Sequence, residues 1–188
     1  LMDKYLLTVT VRADGSSKFA KGNQWGVFPS AALAWRISDE QFMQNTRNWL
    51  SSLKLRLSYG TAGNNRINSG LTYTAYSLSS NTARAPFFNG DRTSMMELGS
   101  YLYNPKLKWE TTVTRNFGID YGFWNNRLSG SIDLCWNTTN DLLMKTEIPA
   151  NAGYNYQYQN FGSTSNKGVE LSMNAIIADK KKFGLNFN

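Results

Sequence analysis

The sequence predicts an all-β protein in which about seven antiparallel strands form part of the wall of a larger transmembrane β-barrel. Three observations lead to this prediction. Apolar residues recur at every second position in seven segments, which is the period of a strand with one apolar face. Short turns and long loops alternate between the segments. Several segments also exceed the ~5–6 residues that are typical of strands in soluble proteins.

The first three predicted strands span residues 5–13, 25–37 and 53–61. Large apolar side chains occupy their odd-numbered positions, and small or polar side chains occupy the even-numbered ones. The connection 38–52 is predicted to contain one or two helical turns, because the Ser-Asp-Glu segment that opens it resembles a helix cap. A longer loop at 15–24 joins the first two strands at the opposite end.

Four further strands follow, at residues 116–123, 128–136, 169–175 and 183–187. Asn125 and Asn126 predict a tight hairpin, because asparagine tolerates the positive φ of a short turn. Residues 178–182 form a second predicted short turn at the same end. The loops at 64–107 and 141–168 belong to the other end. Short turns on one side and long loops on the other are typical of an outer-membrane barrel.

The tryptophans fit the height of such a barrel. Trp25 and Trp35 lie ten residues apart on one face. At ~3.3 Å per residue and a tilt near ~40°, they stand ~25 Å apart along the barrel axis. The pair is therefore expected to mark both aromatic girdles, with Trp109 and Trp136 toward the long loops and Trp124 at the short turns. The alternative is that these rings anchor the core of a soluble β-domain.

Arg115 disagrees with the alternation, because it has the parity of the apolar face between Val113 and Phe117. Two interpretations stay open. Either a bulge shifts the register near Arg115, or the strand projects above the bilayer and Arg115 meets lipid head groups.

The composition excludes several classes of chemistry. The chain has no histidine and one cysteine, Cys135, so it cannot form a histidine-based triad, a histidine-ligated metal site or a disulfide framework. No glycine-rich phosphate loop precedes a helix, and no nucleophile elbow is present. The net charge is +7, but the basic residues are scattered, which disfavours nucleic-acid binding. No catalytic residue, metal or cofactor is therefore predicted.

The polar face is expected to line the barrel lumen, and its charges are segregated. Basic residues lie on the first three strands and acidic residues on the next three. Asp120 and Asp133 are diagonal neighbours, interpreted as solvated lumen residues rather than as an acid–base pair. The charges either hold a plug through salt bridges, bias the field on a permeating solute, or are only solvated. The predicted lumen-facing charges are Arg12, Arg36, Lys54, Arg56, Asp120, Asp133 and Glu170.

The two longest loops are rich in aromatic residues, and loops on a rigid barrel are free to carry recognition. Tyrosine rings present flat amphipathic faces that suit sugar rings or a protein partner. The alternative is that the rings only pack the loops against one another. The residues predicted to contact substrate or partner are Tyr73, Tyr76, Phe87, Phe88, Arg92, Tyr154, Tyr156 and Tyr158.

Several short motifs follow one another along nearly the whole chain. They are RADGSSKF at 12–19, GVFPS at 26–30, LSYG at 57–60 with GN at 63–64, NPKLKWE at 104–110, RLSG at 127–130 and NKGVEL at 166–171. In this order they resemble the SusC/RagA family of TonB-dependent outer-membrane transporters. The motifs mark barrel strands and strand exits rather than catalytic groups.

The resemblance implies a large barrel in the outer membrane of a Gram-negative bacterium, surrounded by lipid, closed around an N-terminal plug and energised by TonB. It also implies a SusD-like surface lipoprotein that caps the mouth, and the import of oligosaccharides or peptides. Residues 1–188 are then expected to belong to one barrel domain, with the plug, the TonB box and the final strands absent from this chain. The alternatives are a soluble β-sandwich that binds carbohydrate and a small complete porin. Seven strands disfavour the porin, because bacterial barrels have even strand numbers.

Overall fold

The computed structural model of the chain describes residues 4–74, 76–79, 87–88, 91–92, 95–180 and 183–187. Strands dominate it, and the described residues contain three short 3₁₀ helices, at Ile37–Asp39, Gln41–Thr46 and Ala150–Ala152. None of the helices in this part of the chain is both long and apolar enough to cross a membrane.

Seven antiparallel strands form one continuous sheet, in which each strand pairs with the next along the chain. They are β1 (Tyr5–Gly15), β2 (Trp25–Arg36), β3 (Leu50–Asn64), β4 (Glu110–Phe123), β5 (Leu128–Asn140), β6 (Ser163–Lys180) and β7 (Phe183–Phe187). The predicted number of strands is confirmed. The sheet does not close, because β1 and β7 pair on one side only.

The strands extend further toward the long loops than predicted. β4 begins at Glu110 rather than at residue 116, and β6 begins at Ser163, so the last long loop is shorter than 141–168. On β4, β5 and β6 the alternation of apolar and polar residues ends before the strand does, because their outer ends carry threonine or serine on both faces. Threonine still favours a strand, since it is β-branched.

The long loops contain smaller sheets of their own. Tyr76–Ser79 pairs with Met95–Leu98, and Phe87–Phe88 pairs with Asp91–Arg92. A three-stranded sheet combines both loops, with Leu143–Glu147 and Tyr101–Leu102 on either side of Tyr156–Asn160. The described residues of the long loops therefore form regular secondary structure of their own.

The predicted hairpin at Asn125 and Asn126 is present, but it is longer than a two-residue turn. Phe123 pairs with Leu128, which leaves four connecting residues. Trp124, Asn125 and Asn126 all adopt positive φ, at 50°, 55° and 61°. Positive φ is uncommon for a bulky residue such as Trp124; its backbone N–H donates to the Trp49 carbonyl at 2.8 Å, which holds this conformation in place. The second predicted short turn, at 178–182, begins later than predicted, because β6 continues to Lys180. Residues 181 and 182 lie outside the described part of the chain.

The connection between β2 and β3 contains the predicted helical turns, but the predicted cap is wrong. Neither 3₁₀ helix in it has a side-chain capping hydrogen bond. Glu40 instead turns toward the ends of β1 and β2. Its carboxylate accepts hydrogen bonds from the Tyr5 hydroxyl at 2.7 Å, the Trp35 Nε1–H at 3.1 Å and the Lys4 ammonium at 3.2 Å. A cap pattern cannot reveal these partners, because they come from distant parts of the chain.

The register separates an apolar face from a polar face across six strands. One cross-strand row on the apolar face consists of Leu7, Leu33, Leu57, Phe117, Leu134 and Val169. The neighbouring row, on the polar face, consists of Thr8, Ala32, Ser58, Asn116, Cys135 and Gly168. The apolar face is uncovered: Val169 is 66% exposed and Leu171 is 75% exposed. A soluble sandwich buries this face against a second sheet, and no described residue packs over it in that way.

The apolar band runs obliquely across the strands. On β2 the apolar face extends up to Trp25, whereas on β6 the apolar run gives way to Lys167 directly beyond Val169. An oblique band is expected when strands are inclined to a barrel axis. Residues paired across such strands lie at a different height along the axis on each successive strand.

The register also decides one alternative for Arg115. Tyr59, Arg115 and Trp136 pair directly on β3, β4 and β5 without interruption. Among the described pairings of the main sheet, shifts occur only at Leu50/Ser52 and at Ile176/Ala178. A bulge near Arg115 is therefore excluded, and its side chain lies on the apolar face.

Two adjacent alanines on β2 provide a matched test of which face meets lipid. Ala31 lies on the apolar face and Ala32 on the polar face. In the full-length protein we expect Ala31→Lys to lower the free energy of unfolding by ~2–4 kcal/mol, because it places an ammonium near the middle of the apolar band. Ala32→Lys should cost much less. Denaturant unfolding in lipid vesicles measures both, and equal costs would contradict the assignment of the faces.

A second prediction concerns the turn held by Glu40. Hydrogen bonds from Tyr5, Trp35 and Lys4 hold the pKa of Glu40 below its ordinary value. A lowered folded-state pKa stabilises the protein above the unfolded pKa, and this contribution is lost as the pH falls through the folded value. Glu40→Gln should therefore destabilise the full-length protein at neutral pH, with a difference from wild type that shrinks below about pH 4.

The control is Glu147→Gln, because Glu147 is exposed and has no hydrogen bond or ion pair among the described residues. Unfolding measured across the pH range should show no comparable change for it. A Glu40→Gln difference that is constant with pH would rule out the charged hydrogen-bond cluster as its cause.

Candidate functional site

A small apolar core lies at the loop end of the main sheet. It consists of Phe19, Ile67, Leu71 and Leu107, which come from the β1–β2 loop and from both ends of the β3–β4 loop. Phe19 is 1% exposed and Leu107 is 0% exposed. We call this group the loop core. Because the sheet leaves its apolar face uncovered, the tightest packing among the described residues lies in the loops.

Tilted and edge-on aromatic contacts join the loop core to the sheet. The Trp109 ring lies 5.4 Å from Phe19 and 5.5 Å from Phe28, measured between ring centroids. The Trp109 Nε1–H donates to the Gln24 carbonyl at 3.2 Å. Trp109 thus lies toward the long loops as predicted, but it packs in the interior and does not belong to an outward-facing girdle.

Two glycines make room for the Phe28 ring. Phe28 is on the polar face of β2, and the outer end of its ring lies over Gly26 and Gly63. A Cβ atom at either glycine would overlap the ring. Both glycines therefore have a steric role, which explains why they occur within the GVFPS and GN motifs.

Hydrogen bonds join the β3–β4 and β5–β6 loops beside the loop core. Glu110 accepts from the Asn64 side-chain amide at 2.9 Å and from the Leu143 backbone N–H at 3.0 Å. Asn104 donates through its side chain to the Tyr158 carbonyl at 2.9 Å, and through its backbone to the Leu71 carbonyl at 2.8 Å. These bonds hold the two loops against each other at the loop end of the main sheet.

Next to the loop core lies a pocket of about 270 Å³, which we call the tyrosine pocket. Tyr73 is 63% exposed and Tyr103 is 42% exposed, whereas Tyr101 packs against the loop core. Gly70 has a φ of 90° in the loop that forms the wall, a conformation that favours glycine. Aromatic rings beside small polar groups can stack on a sugar ring or a peptide side chain and donate hydrogen bonds to it. The pocket is lined by Asn68, Ser69, Gly70, Leu71, Tyr73, Gly99, Tyr101 and Tyr103.

The loop aromatics predicted as contacts divide into two groups. Tyr73 and Tyr76 are exposed. Tyr158 packs against the loop core, and Tyr156 lies beneath the Lys145 ammonium, 3.6 Å from its ring centroid. Tyr154 is half-buried. Packing of the loops thus accounts for Tyr156 and Tyr158, and leaves Tyr73 and Tyr76 free to meet a ligand.

The remaining predicted contacts are Phe87, Phe88 and Arg92. Their backbones pair in the short strands described above, but their side chains lie outside the described part of the chain. Sequence reasoning missed Tyr101 and Tyr103, which complete the tyrosine pocket. Their spacing of two residues beside a proline gave a weak signal, because nothing in it shows that the loop folds back toward Tyr73.

On the polar face, four of the seven predicted charges form one ion-pair network. Arg56 contacts Asp120 at 2.7 Å and Asp133 at 3.0 Å, and Lys54 contacts Asp120 at 3.3 Å. Gly118 lies beneath the Arg56 guanidinium, where a Cβ would collide with it. The two carboxylates are held by a shared cation and are not arranged as an acid–base pair. Partly exposed pairs of this kind contribute little stability each, at ~0–1 kcal/mol.

The other three predicted charges lie apart from this network. Arg12 pairs with Asp14 at 2.8 Å on β1. Arg36 pairs with Asp39 at 3.1 Å, next to the short turn. Glu170 is exposed beside Asp133 in the register and has no partner among the described residues. The described residues contain no group of three side chains able to hold a metal ion.

Comparison with known proteins gives a consistent result. The model of the family "TonB dependent receptor-like, beta-barrel" matches residues 1–188. The chain is 42% identical to the TonB-dependent receptor SusC of Bacteroides thetaiotaomicron over 100% of its own length and 19% of that protein. It is 41% identical to TonB-dependent receptor P26 of Formosa agariphila, over 92% of this chain and 17% of that one. The chain thus spans about a fifth of the length of these curated relatives.

Solved structures show the same similarity. The RagAB peptide importer in its closed-closed state superposes with a TM-score of 0.81 at 33% identity, over 95% of this chain and 18% of that one. The siderophore receptor PirA of Pseudomonas aeruginosa matches with a TM-score of 0.55 at 17% identity, over 95% of this chain and 29% of that one. The PirA match shows a shared fold only.

The loop core can be tested with two phenylalanines of very different burial. Phe19→Ala in the full-length protein should destabilise the loop end by ~3–5 kcal/mol, because it opens a cavity in the loop core. The control is Phe161→Ala, since Phe161 is 66% exposed. Hydrogen exchange of the backbone amides in 64–74 and 101–109 measures the effect. Unchanged protection in Phe19→Ala would show that the loops do not depend on the loop core.

Proposed function

Because this chain belongs to the TonB-dependent receptor β-barrel family, we propose that it forms one section of the barrel wall of an energy-coupled outer-membrane transporter. The transporter imports bulky polar nutrients, which are oligosaccharides or peptides, into a Gram-negative bacterium. TonB supplies the energy through an N-terminal region outside residues 1–188, and a SusD-like surface lipoprotein covers the mouth. Members of this family are outer-membrane barrels.

The two open edges of the sheet support a place within a larger barrel. β1 and β7 each have a partner on one side only, and an unpaired backbone edge cannot stand in lipid. Strands contributed by the remainder of the protein would pair with both edges. In the resulting barrel the exposed apolar face meets lipid, and the polar face with its ion-pair network lines the lumen or contacts the plug.

The tyrosine pocket is the observation that carries the assignment of a recognition role. Tyr73 and Tyr103 are exposed, although the loop that presents them is anchored by buried residues on both sides. A rigid loop that leaves aromatic rings uncovered is suited to binding, because little conformational entropy is lost when a ligand stacks on the rings. Stacking of this kind accepts several sugars or peptide side chains, which fits an importer of mixed nutrients.

The rim of the mouth also supports contact with a lid protein. Tyr76 and Phe161 are both well exposed and lie on different long loops. Exposed aromatic residues of this kind are enriched where proteins bind one another. We assign Tyr76 and Phe161 to the surface that meets the SusD-like lipoprotein, whereas Phe87, Phe88, Arg92 and Tyr154 stay predicted contacts of either the solute or this lid.

Transport accounts for the chain better than catalysis or sugar binding by a soluble module. The relatives that it matches are receptors and importers, and Asp120 and Asp133 are engaged by Arg56. A β-sandwich is not favoured, because the family is that of a barrel and the main sheet is a single layer.

Two variants of the full-length protein test the recognition role. The first is Tyr73→Ala/Tyr103→Ala, and the second deletes residues 75–98 but keeps Leu71 of the loop core and Tyr101, which packs against it. Loss of two stacking rings should weaken solute binding roughly tenfold. The deletion should abolish uptake or association with the lid protein. Binding is measured by calorimetry on the purified transporter and uptake in cells.

The control is Phe42→Ala, because Phe42 is an exposed aromatic residue at the short-turn end. It should leave uptake unchanged. If uptake and lid association both survive the deletion at normal expression, the loops only pack against one another, and the recognition role is wrong even though the barrel family stands.

A further inference from the structure

Arg115 is an unpaired cation on the apolar face of the sheet. Its side chain is exposed and has no ion pair or hydrogen bond with any described residue. On the same face of β4, Val113 is its neighbour on the side of the long loops and Phe117 is its neighbour on the side of the short turns. A charged side chain on the lipid face of a barrel is costly unless an anion or water meets it, so its position calls for a partner.

A second unpaired cation lies in the same cross-strand row. The row runs through Tyr59, Arg115, Trp136 and Lys167 on the adjacent strands β3, β4, β5 and β6. Lys167 is exposed and is also without a partner among the described residues. Two strand spacings separate the two cations, or ~10 Å between their backbones. Aromatic rings flank Arg115 on both sides, as in an interfacial girdle.

Below the row, on the side of the short turns, lies an open apolar groove of about 440 Å³. Its walls are formed by Leu7, Leu33, Leu57, Tyr59, Phe117 and Trp136, and Arg115 stands at its rim. Ala31 lies beside Tyr59 in the sheet and leaves a depression between larger neighbours. The groove therefore combines an apolar bed with positive charge at one end.

We propose that this groove, with Arg115 at its rim and Lys167 two strands away in the same row, binds a phosphate-bearing lipid of the lipid A type. Acyl chains lie in the groove against the leucines and Phe117. Arg115 donates to the phosphate oxygens as a planar fork, and Lys167 contributes a second positive charge. Tyr59 and Trp136 lie at the level where the head group joins the chains.

The position of this row along the strands indicates which leaflet of the membrane supplies the lipid. The cations lie on the side of the long loops, which face the exterior in outer-membrane barrels. A lipid held there belongs to the outer leaflet, whose main phosphate-bearing component is lipid A. The inference rests on the lipid-facing orientation proposed above.

The test uses the purified full-length transporter in nanodiscs of phosphatidylcholine that contain a small fraction of lipid A. The protein is then moved into maltoside micelles, and the lipid A retained per barrel is counted by native mass spectrometry. Arg115→Gln/Lys167→Gln should lower retention roughly tenfold, because two charge-assisted contacts are lost. Ala31→Phe should lower it as well, because it fills the groove but leaves both cations in place.

The matched control is Arg127→Gln, which removes an exposed cation at the short-turn end and should leave retention unchanged. Excess inorganic phosphate should not displace the lipid. Retention that survives Arg115→Gln/Lys167→Gln would overturn the proposal, as would displacement by inorganic phosphate alone. The proposal would also fail if the double variant separated a dimer while retaining lipid A, because the face would then bind a second copy of the chain.

A separate measurement distinguishes failure of the site from failure of the orientation. A nitroxide attached at Leu171→Cys, in a Cys135→Ser background, reports whether this face meets lipid. A lipid-exposed label with unaffected lipid A retention would overturn the lipid site alone. A label exposed to water would overturn the orientation and the lipid site together.

Discussion

Continuous backbone hydrogen bonding between neighbouring strands is the constraint on which the rest of the structure depends. In an environment without water each N–H and C=O group must be paired, and a sheet that continues from strand to strand does this. Such a sheet can expose leucine and valine on one entire face, as β1 to β6 do here. In the proposed barrel these apolar residues contact lipid, and in the described residues they do not form a core beneath the sheet.

This constraint explains why the buried core lies in the loops. The β1–β2 and β3–β4 loops supply Phe19, Ile67, Leu71 and Leu107, and Trp109 links them to Phe28 on the sheet. Most members of this arrangement lie within or beside the motifs RADGSSKF, GVFPS and NPKLKWE. Such motifs therefore mark the framework that positions the mouth. In the proposed transporter, the exposed tyrosines beside this framework would contact the solute and determine which solutes bind.

Among the described residues, most charged residues on the polar face of the sheet are paired, whereas those on its apolar face are not. On the polar face, Lys54 and Arg56 are matched by Asp120 and Asp133, so the network carries no net charge. On the apolar face, Arg115 and Lys167 have no acid within reach among the described residues. Charges that neutralise one another need no external partner, whereas isolated cations on a lipid-facing surface do. Arg56 and Arg115 therefore have opposite requirements, although they lie on the neighbouring strands β3 and β4.

The sequence by itself determined the number of strands, the face of each residue within the alternating segments and the end at which the long loops lie. These features follow from local rules, because alternation with period two depends only on neighbouring residues. Short turns also place β5 beside β4 and β7 beside β6, whereas the tertiary structure decided which strands pair across the long loops. Only the tertiary structure decided which loop residues are buried. Tyr158 and Tyr73 look alike in sequence, yet one packs against the loop core and the other stays exposed. It also decided that Glu40 binds Tyr5 and Trp35 rather than capping a helix, and that Arg115 lies in an unbroken register. These outcomes depend on contacts between residues far apart in the chain, which no local pattern records.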